Sequence, residues 1–350
     1  MTLVFAYGTR PEAVKLGPVV AAVRTLGIKP LIVATGQHSD LLAGTPAETD
    51  LADGVSLNLQ STGNVPRYLA TAQAALHGYF KTMEEMAVVV VQGDTMSALA
   101  GARAAVAAGH LVAHVEAGVR SHDLDDPWPE EENRRTITGL ASWHYAASTT
   151  AYANLLTEGV AQSHIRLTGN PGISALARYT GITPQKPQPY LVVTLHRREL
   201  MRDQLLDGVL RGLVSAATEH SDVEFYWPIH PSIRPHLNWP QTVANIKLAD
   251  PIPYREMVLL LARATGVVTD SGGLQEEAAA LGVPCICLRR VTDRPESIEA
   301  GTAERRDPTE VGVTQGVEIL VRGRLERRPL DCYGDATAAD QIARHLVSLV

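Results

Sequence analysis

Residues 87–92 read AVVVVQ, five apolar residues in succession, four of them β-branched. A strand with one wet face alternates apolar and polar residues, so an unbroken run belongs to a strand covered on both faces. Short apolar runs recur along the chain: LVFAY, PLIVAT, LVAHVEAG, WHYAAS, YLVVTL, VEFYWPI, IKLAD, GVVTD and PCICLR. Between them lie stretches with helical spacing, among them PEAVKLGPVVAAVRTLG, PRYLATAQAALHGYF, DQLLDGVLRGLVSAATEH and YREMVLLLARA. Buried strands joined by helices make parallel, doubly wound sheets, so the fold class is α/β. Residues 36–64 break the alternation, being polar, rich in Gly, Ser and Thr, and without a clear long element.

The 350 residues suffice for two domains of ordinary size. The proline-rich stretch ITPQKPQP, residues 182–189, is the best linker, and the strand–helix alternation restarts after it. This predicts a Rossmann-like domain over 1–181, a second over 182–334, and a closing amphipathic helix over 335–350. The two halves are expected to face a cleft, with ligands beyond the carboxyl ends of the strands. A net charge of −7 argues against nucleic acid or an anionic membrane as partner, and 5% aromatic content argues against a base-stacking platform. Cys285 and Cys287 share one strand and point to opposite faces, which suits neither a disulfide nor a zinc site. The start, MTLVFAYGTRPE, has no signal-peptide pattern and no apolar run is long enough to span a bilayer, so a cytoplasmic, soluble protein is expected.

The polar residues that bear chemistry fall at strand ends. In AYGTRPEAVK, Arg10 stands over a helix start, where a phosphate would sit, although a bond to a surface acid would explain it equally. Asp94, in QGDTMS, is placed either to cap a helix or to act in catalysis. Glu116 directly follows LVAHV, a position hard to explain structurally. Glu130, Glu131 and Glu132 precede Asn133 and Arg134, and two of the three acids are expected to be a solvated first helical turn. His196, in TLHRRE, suits a general acid or a phosphate contact, and His230, in WPIHPS, is a second candidate. In TDSGGLQEEAAALG, Ser271, Gly272 and Gly273 offer backbone N–H groups to an anion. Glu277 lies one helical turn beyond Gly273, within reach of a ribose diol, while Glu276 is expected to support the helix dipole.

In order, GTRPEAVK, GQH, GDTMSALA, HVEAGVRS, PWPEEENRRT, TGN, TLHRRE, TDSGGLQEEAAALG and TDRPE resemble the non-hydrolysing UDP-N-acetylglucosamine 2-epimerases over nearly the whole chain. The resemblance implies a GT-B-type fold whose final helix crosses back onto the first domain. It also implies interconversion of UDP-GlcNAc and UDP-ManNAc by elimination of UDP to 2-acetamidoglucal and re-addition to the other face, without nicotinamide or metal. Carried over by motif, Asp94, Glu116 and Glu130 are the acid/base carboxylates and His196 assists the leaving group. Arg10, Ser271, Gly272 and Gly273 would hold the UDP phosphates, Glu277 the ribose, and Met257 with the backbone near Pro251 the uracil, while Arg134 would neutralise charge.

The family usually has Asn where Leu200 stands, HPNP or HLNP where this chain has HPSI, and YGDG in place of YGDA. The segment after GQH, with Ser39 and Asp40, is shortened and altered, which bears on a second, activating UDP-GlcNAc. The resemblance further implies a homodimer. A hydrolysing 2-epimerase, a GT-B glycosyltransferase and a non-catalytic UDP-sugar-binding regulator are the competing readings; HVEAG and PEEENR favour the non-hydrolysing type over the first, and the cluster of carboxylates argues against the other two.

Overall fold

The computed structural model describes residues 1–36, 42–45, 47–60, 63–180, 186–237 and 243–350. The chain forms two compact units, Met1–Ala177 with Tyr333–Val350, and Arg178–Cys332. Residues 182–185, where the linker was expected to begin, and Gln37 to Asp40 of the altered segment lie outside the described residues.

The first unit holds β1 (Thr2–Tyr7), β2 (Leu31–Ala34), β3 (Val55–Ser56), β4 (Ala87–Gln92), β5 (Leu111–Ala117), β6 (Trp143–Ala146) and β7 (Ile165–Leu167). All are parallel, in the order β3-β2-β1-β4-β5-β6-β7. The valine run shows why the sheet is covered twice. Val88 and Val90 pack into one core with Phe5, Leu16, Val20, Ile342 and Leu346. Val89 and Val91 point the other way, into a core with Val4, Leu76, Phe80 and Ala102. Each fully buried valine of this kind is worth roughly 1.5–3 kcal/mol. The Ala338–Val347 helix thus belongs to the core of the first unit, although it closes the chain.

The second unit holds β8 (Gln188–Thr194), β9 (Glu224–Pro228), β10 (Ile246–Ala249), β11 (Ala264–Thr269), β12 (Cys285–Leu288) and β13 (Ala303–Arg306). These too are parallel, in the order β10-β9-β8-β11-β12-β13. Leu191, Val193, Leu213, Trp227 and Val317 form its main core.

Both sheets reverse strand order beside their first strand, between β1 and β4 and between β8 and β11. Beyond the carboxyl ends of those strands the connections diverge to opposite faces and leave a crevice. The sequence did not announce β3, β7 and β13. All three lie at sheet edges; β3 and β7 are two and three residues long, and β13, reading AERR, has the charge typical of an edge strand.

Candidate active site

In the first unit the crevice begins at Gly8. A Cβ there would lie 2.2 Å from Thr35 Oγ1 and 2.5 Å from Ser97 Cβ, so the close approach requires glycine. The helix Arg10–Thr25 follows, capped by Thr9. Its Glu12 is fully buried and accepts from Gly8 N (3.1 Å), Thr95 Oγ1 (2.9 Å) and Ser97 Oγ (2.9 Å), joining the loop after β1 to the loop after β4. Burial raises the Glu12 pKa, and its hydrogen bonds oppose that rise. Arg10 is half-buried and forms no hydrogen bond or ion pair among the described residues, so no described surface acid accounts for it.

The turn after β4 shows what the Asp94 carboxylate touches. Thr95 is the cap of the helix Met96–Ala107, its Oγ1 accepting from Ala98 N at 3.1 Å. The Asp94 carboxylate is therefore not used for capping. It takes Arg134 Nε at 2.8 Å and Nη2 at 2.5 Å. The turn is held from behind: Asn133 Nδ2 donates to Asp94 O (2.7 Å) and His114 Nε2 lies 2.8 Å from Gly93 O. A carbonyl can only accept, so the His114 proton sits on Nε2. Burial brings the His114 pKa down to about 4, so the ring is neutral at pH 7.

Glu116 lies within β5 rather than after it. The register slips between Val115 and Ala117, and Glu116 takes the left-handed conformation with φ 65°. For a residue with a Cβ that conformation costs on the order of 1–3 kcal/mol. Its buried carboxylate accepts through Oε2 from Lys15 Nζ, Gln92 Nε2 (2.6 Å) and Asn170 Nδ2 (3.0 Å).

The acidic run opens the helix Glu130–Leu140. Glu130 is half-buried and only Glu132 is exposed. Glu131, expected to share a solvated turn, is instead fully buried and accepts from Ser121 N (3.0 Å) and Arg135 Nε (3.1 Å), with Arg134 Nη1 at 3.4 Å.

In the second unit the N–H groups of His196 and Arg197, after β8, both donate to Asp270 Oδ2 at 2.9 Å. His196 Nδ1 lies 2.9 Å from Asp270 Oδ1. Burial alone would raise the Asp270 pKa, but the His196 charge and the hydrogen bonds from His196 and Arg197 outweigh it and hold the carboxyl below its ordinary value. The His196 and His230 rings stand 5.6 Å apart. His230 Nδ1 accepts from Ser232 N at 3.2 Å, so its Nε2 carries the proton, and burial followed by the His196 charge lowers its pKa.

Ser271 caps the helix Gly272–Leu281. A Cβ at Gly273 would meet nothing within 4 Å, and at Gly272 nothing closer than Arg294 Cζ at 3.4 Å. Neither glycine has a positive φ. Glu277 accepts from Tyr254 Oη at 2.8 Å. Glu276 corrects the dipole expectation: it is buried and bound to Arg294 Nε, whose Nη1 lies 3.1 Å from Asp293. Asp293 in turn holds Arg289 at 2.5 Å. Met257 is half-buried on the helix Tyr254–Arg263, one turn beyond Tyr254.

The residues that sequence reasoning missed are therefore the partners: Lys15, Gln92, Asn170, Glu131, Tyr254, Asp270 and Arg294. Lys15 and Asp270 had a signal, since one lies a helical turn after Pro11 and the other ends a strand. Among the described residues, Glu219, His220 and Glu318 bring three possible metal-ligand atoms within 4.8 Å of one another. Arg322 already pairs with Glu318, and His220 precedes β9, at the opposite end of the sheet from the crevice. Among the described residues no helix is long and apolar enough to cross a membrane.

Fold and strand-end chemistry together define an α/β protein of two Rossmann-like units, of the GT-B type. The family model described as UDP-N-acetylglucosamine 2-epimerase matches residues 21–347. The chain therefore belongs to the UDP-N-acetylglucosamine 2-epimerase family. The UDP-N-acetylglucosamine 2-epimerase of Escherichia coli (strain K12) is 34% identical over 375 residues, spanning 99% of this chain and 98% of the relative. The structure of the Methanocaldococcus jannaschii UDP-GlcNAc 2-epimerase in complex with UDP-GlcNAc and UDP matches with a TM-score of 0.89 and 31% identity, covering 99% of this chain and 100% of that one. The Neisseria meningitidis UDP-GlcNAc 2-epimerase bound to UDP-GlcNAc matches with a TM-score of 0.89 and 27% identity, over 99% of this chain and 100% of that one.

Proposed function

We propose that the protein interconverts UDP-GlcNAc and UDP-ManNAc by the non-hydrolysing route. A carboxylate removes the C2 proton, the C1–O bond to UDP breaks with its electron pair leaving on the diphosphate, and the C1=C2 bond of 2-acetamidoglucal forms. Re-addition of UDP with protonation of C2 on the opposite face completes the inversion. The observation that carries this reading is Glu116, a buried carboxylate beside the strand-order reversal, held in a strained backbone by three donors. A group stabilised at such cost is placed for chemistry rather than for folding.

In this reading Asp94, Glu116 and Glu130 handle protons on the two faces of C2, and Arg134 fixes Asp94. Arg10, with no acid partner among the described residues, suits an anionic ligand. In the second unit the Ser271 N–H is taken by Thr269 Oγ1 (3.0 Å) and its Oγ by Leu274 N, so it is the N–H groups of Gly272 and Gly273, opening the helix, that favour a diphosphate. His196, turned by Asp270, would support the leaving group, with His230 beside it. Glu277, oriented by Tyr254, would accept from the ribose hydroxyls, and Met257 would contribute to the uracil pocket. The membership of the family and the UDP-GlcNAc-bound relatives support the substrate.

Incubation with UDP-GlcNAc in deuterated water should place deuterium at C2 and yield UDP-ManNAc. Free ManNAc with UDP would assign the hydrolysing reaction instead, and no C2 exchange would remove the epimerase reading. Asp94→Asn and Glu116→Gln should abolish exchange while UDP still binds. Loss of UDP binding in both would make these carboxylates binding groups.

A further inference from the structure

Three donors converge on one oxygen of Glu116. Lys15 reaches Oε2 from the Arg10–Thr25 helix, Gln92 from the last position of β4, and Asn170 from the turn before the helix Pro171–Thr180. Gln92 and Asn170 are both buried. The orientation of the Asn170 amide is fixed by its other end, since Oδ1 accepts from Gly172 N at 3.0 Å and so Nδ2 must be the group facing Glu116. Its backbone N–H donates to Tyr333 O at 2.8 Å, which anchors the turn.

An oxygen that accepts from an ammonium and two amides has no room for a proton of its own. We propose that Gln92 and Asn170 are positioning residues that clamp Oε2 of Glu116, so that this carboxylate takes up and releases its proton through Oε1 alone. The lysine supplies charge, whereas the amides supply direction: a lone ammonium on a flexible stem can follow either oxygen. The amides also tie down a side chain whose backbone conformation is strained, and so fix where Oε1 points. Among the charged and titratable groups around the site are Lys15, His114 on β5 itself, neutral above its lowered pKa of about 4, with Arg120 and His144 acting on it, and the Asp94–Arg134 pair on the next turn.

The inference rests on the reading of Glu116 as an acid/base group, and its test separates the two. Gln92→Met removes a donor at nearly constant shape. Asn170→Asp keeps the acceptor for Gly172 N and replaces the donor facing Glu116 with an oxygen. Both variants are first checked for folding by urea unfolding. The Glu116 carboxyl is then titrated by 13C NMR in the ligand-free full-length protein, with Glu116→Gln to assign its resonance. The expected result is an upward displacement of its midpoint by about one pH unit in each variant, since stabilising bonds to the ionised form are lost or opposed. In turnover, kcat should fall about 100-fold with KM within about threefold, and the acidic limb of kcat/KM should move up by the same pH interval. An unmoved midpoint in both variants overturns the clamp, whatever the activity. A moved midpoint in a protein whose wild type exchanges no C2 proton leaves the clamp standing and removes the epimerase reading.

Discussion

His196 Nδ1 lies 2.9 Å from Asp270 Oδ1, while the other oxygen of the same carboxylate binds the backbone N–H groups of His196 and Arg197. One buried acid therefore fixes both the loop after β8 and the ring it carries. With Nδ1 turned to the carboxylate, Nε2 is the nitrogen left to address a ligand. Asp270→Asn keeps the shape but removes the charge and permits the opposite tautomer. Turnover of UDP-GlcNAc should drop roughly 100-fold, at the lower end of what a positioned acid contributes. The affinity for UDP, measured by calorimetry, should stay within about threefold. Unchanged turnover would show that the pair serves only the loop.

Much of this architecture is legible in the residues. AVVVVQ became a fully buried strand because its alternate valines face two different cores. Asp94, His196 and Ser271 were marked as candidates because a parallel sheet exposes polar groups chiefly beyond its strand ends. Their partners were not, because pairs such as Asp94 with Arg134 or Glu276 with Arg294 join positions far apart in the chain. Nor can a run such as EEE announce which acid turns inward. Glu131 is buried where Ser121 N meets it, a contact the local pattern does not code, while its i,i+4 partner Arg135 is legible in the run.

The Glu276–Arg294 pair tests that distinction. Both side chains are buried behind the glycine turn. Replacing Arg294 by Met takes the guanidinium away from the buried Glu276 charge, and the second unit should lose about 3–5 kcal/mol of stability. Glu132→Gln, on the exposed neighbour of buried Glu131, should change stability by no more than about 0.5 kcal/mol. Urea unfolding of the two variants reads the contrast, and equal losses would contradict the structural assignment.

His114 sets an acid limit on the first unit. Its folded pKa of about 4 lies below the ordinary histidine value of 6.5, so between these pH values the unfolded chain binds the extra proton. Its contribution to stability is full above pH 6.5 and falls away as the pH drops to about 4, by on the order of 3 kcal/mol. In His114→Gln, which keeps a donor for Gly93 O, the fall in the urea midpoint between pH 7 and pH 4.5 should be visibly smaller than in the wild type. Parallel pH dependences in both proteins would mean that other groups carry the acid sensitivity.

Gly8 and Gly273 are both strand-end glycines, yet the structure gives them different reasons to be glycine. At Gly8 a methyl group would collide with Thr35 and Ser97, at 2.2 Å and 2.5 Å. Gly8→Ala should therefore destabilise the first unit by about 1–3 kcal/mol, through overpacking. At Gly273 a methyl group would enter open space, in the first turn of a helix where alanine is the better residue. Among the described residues nothing forbids it, so a methyl group there would be felt only by a ligand that approaches the backbone closely. Gly273→Ala should leave the unfolding midpoint unchanged or slightly raised while UDP affinity falls at least about tenfold, a loss of about 1.4 kcal/mol. Undiminished UDP affinity in Gly273→Ala would mean that the diphosphate is held elsewhere, and the assignment of the Ser271–Gly273 turn would fall with it.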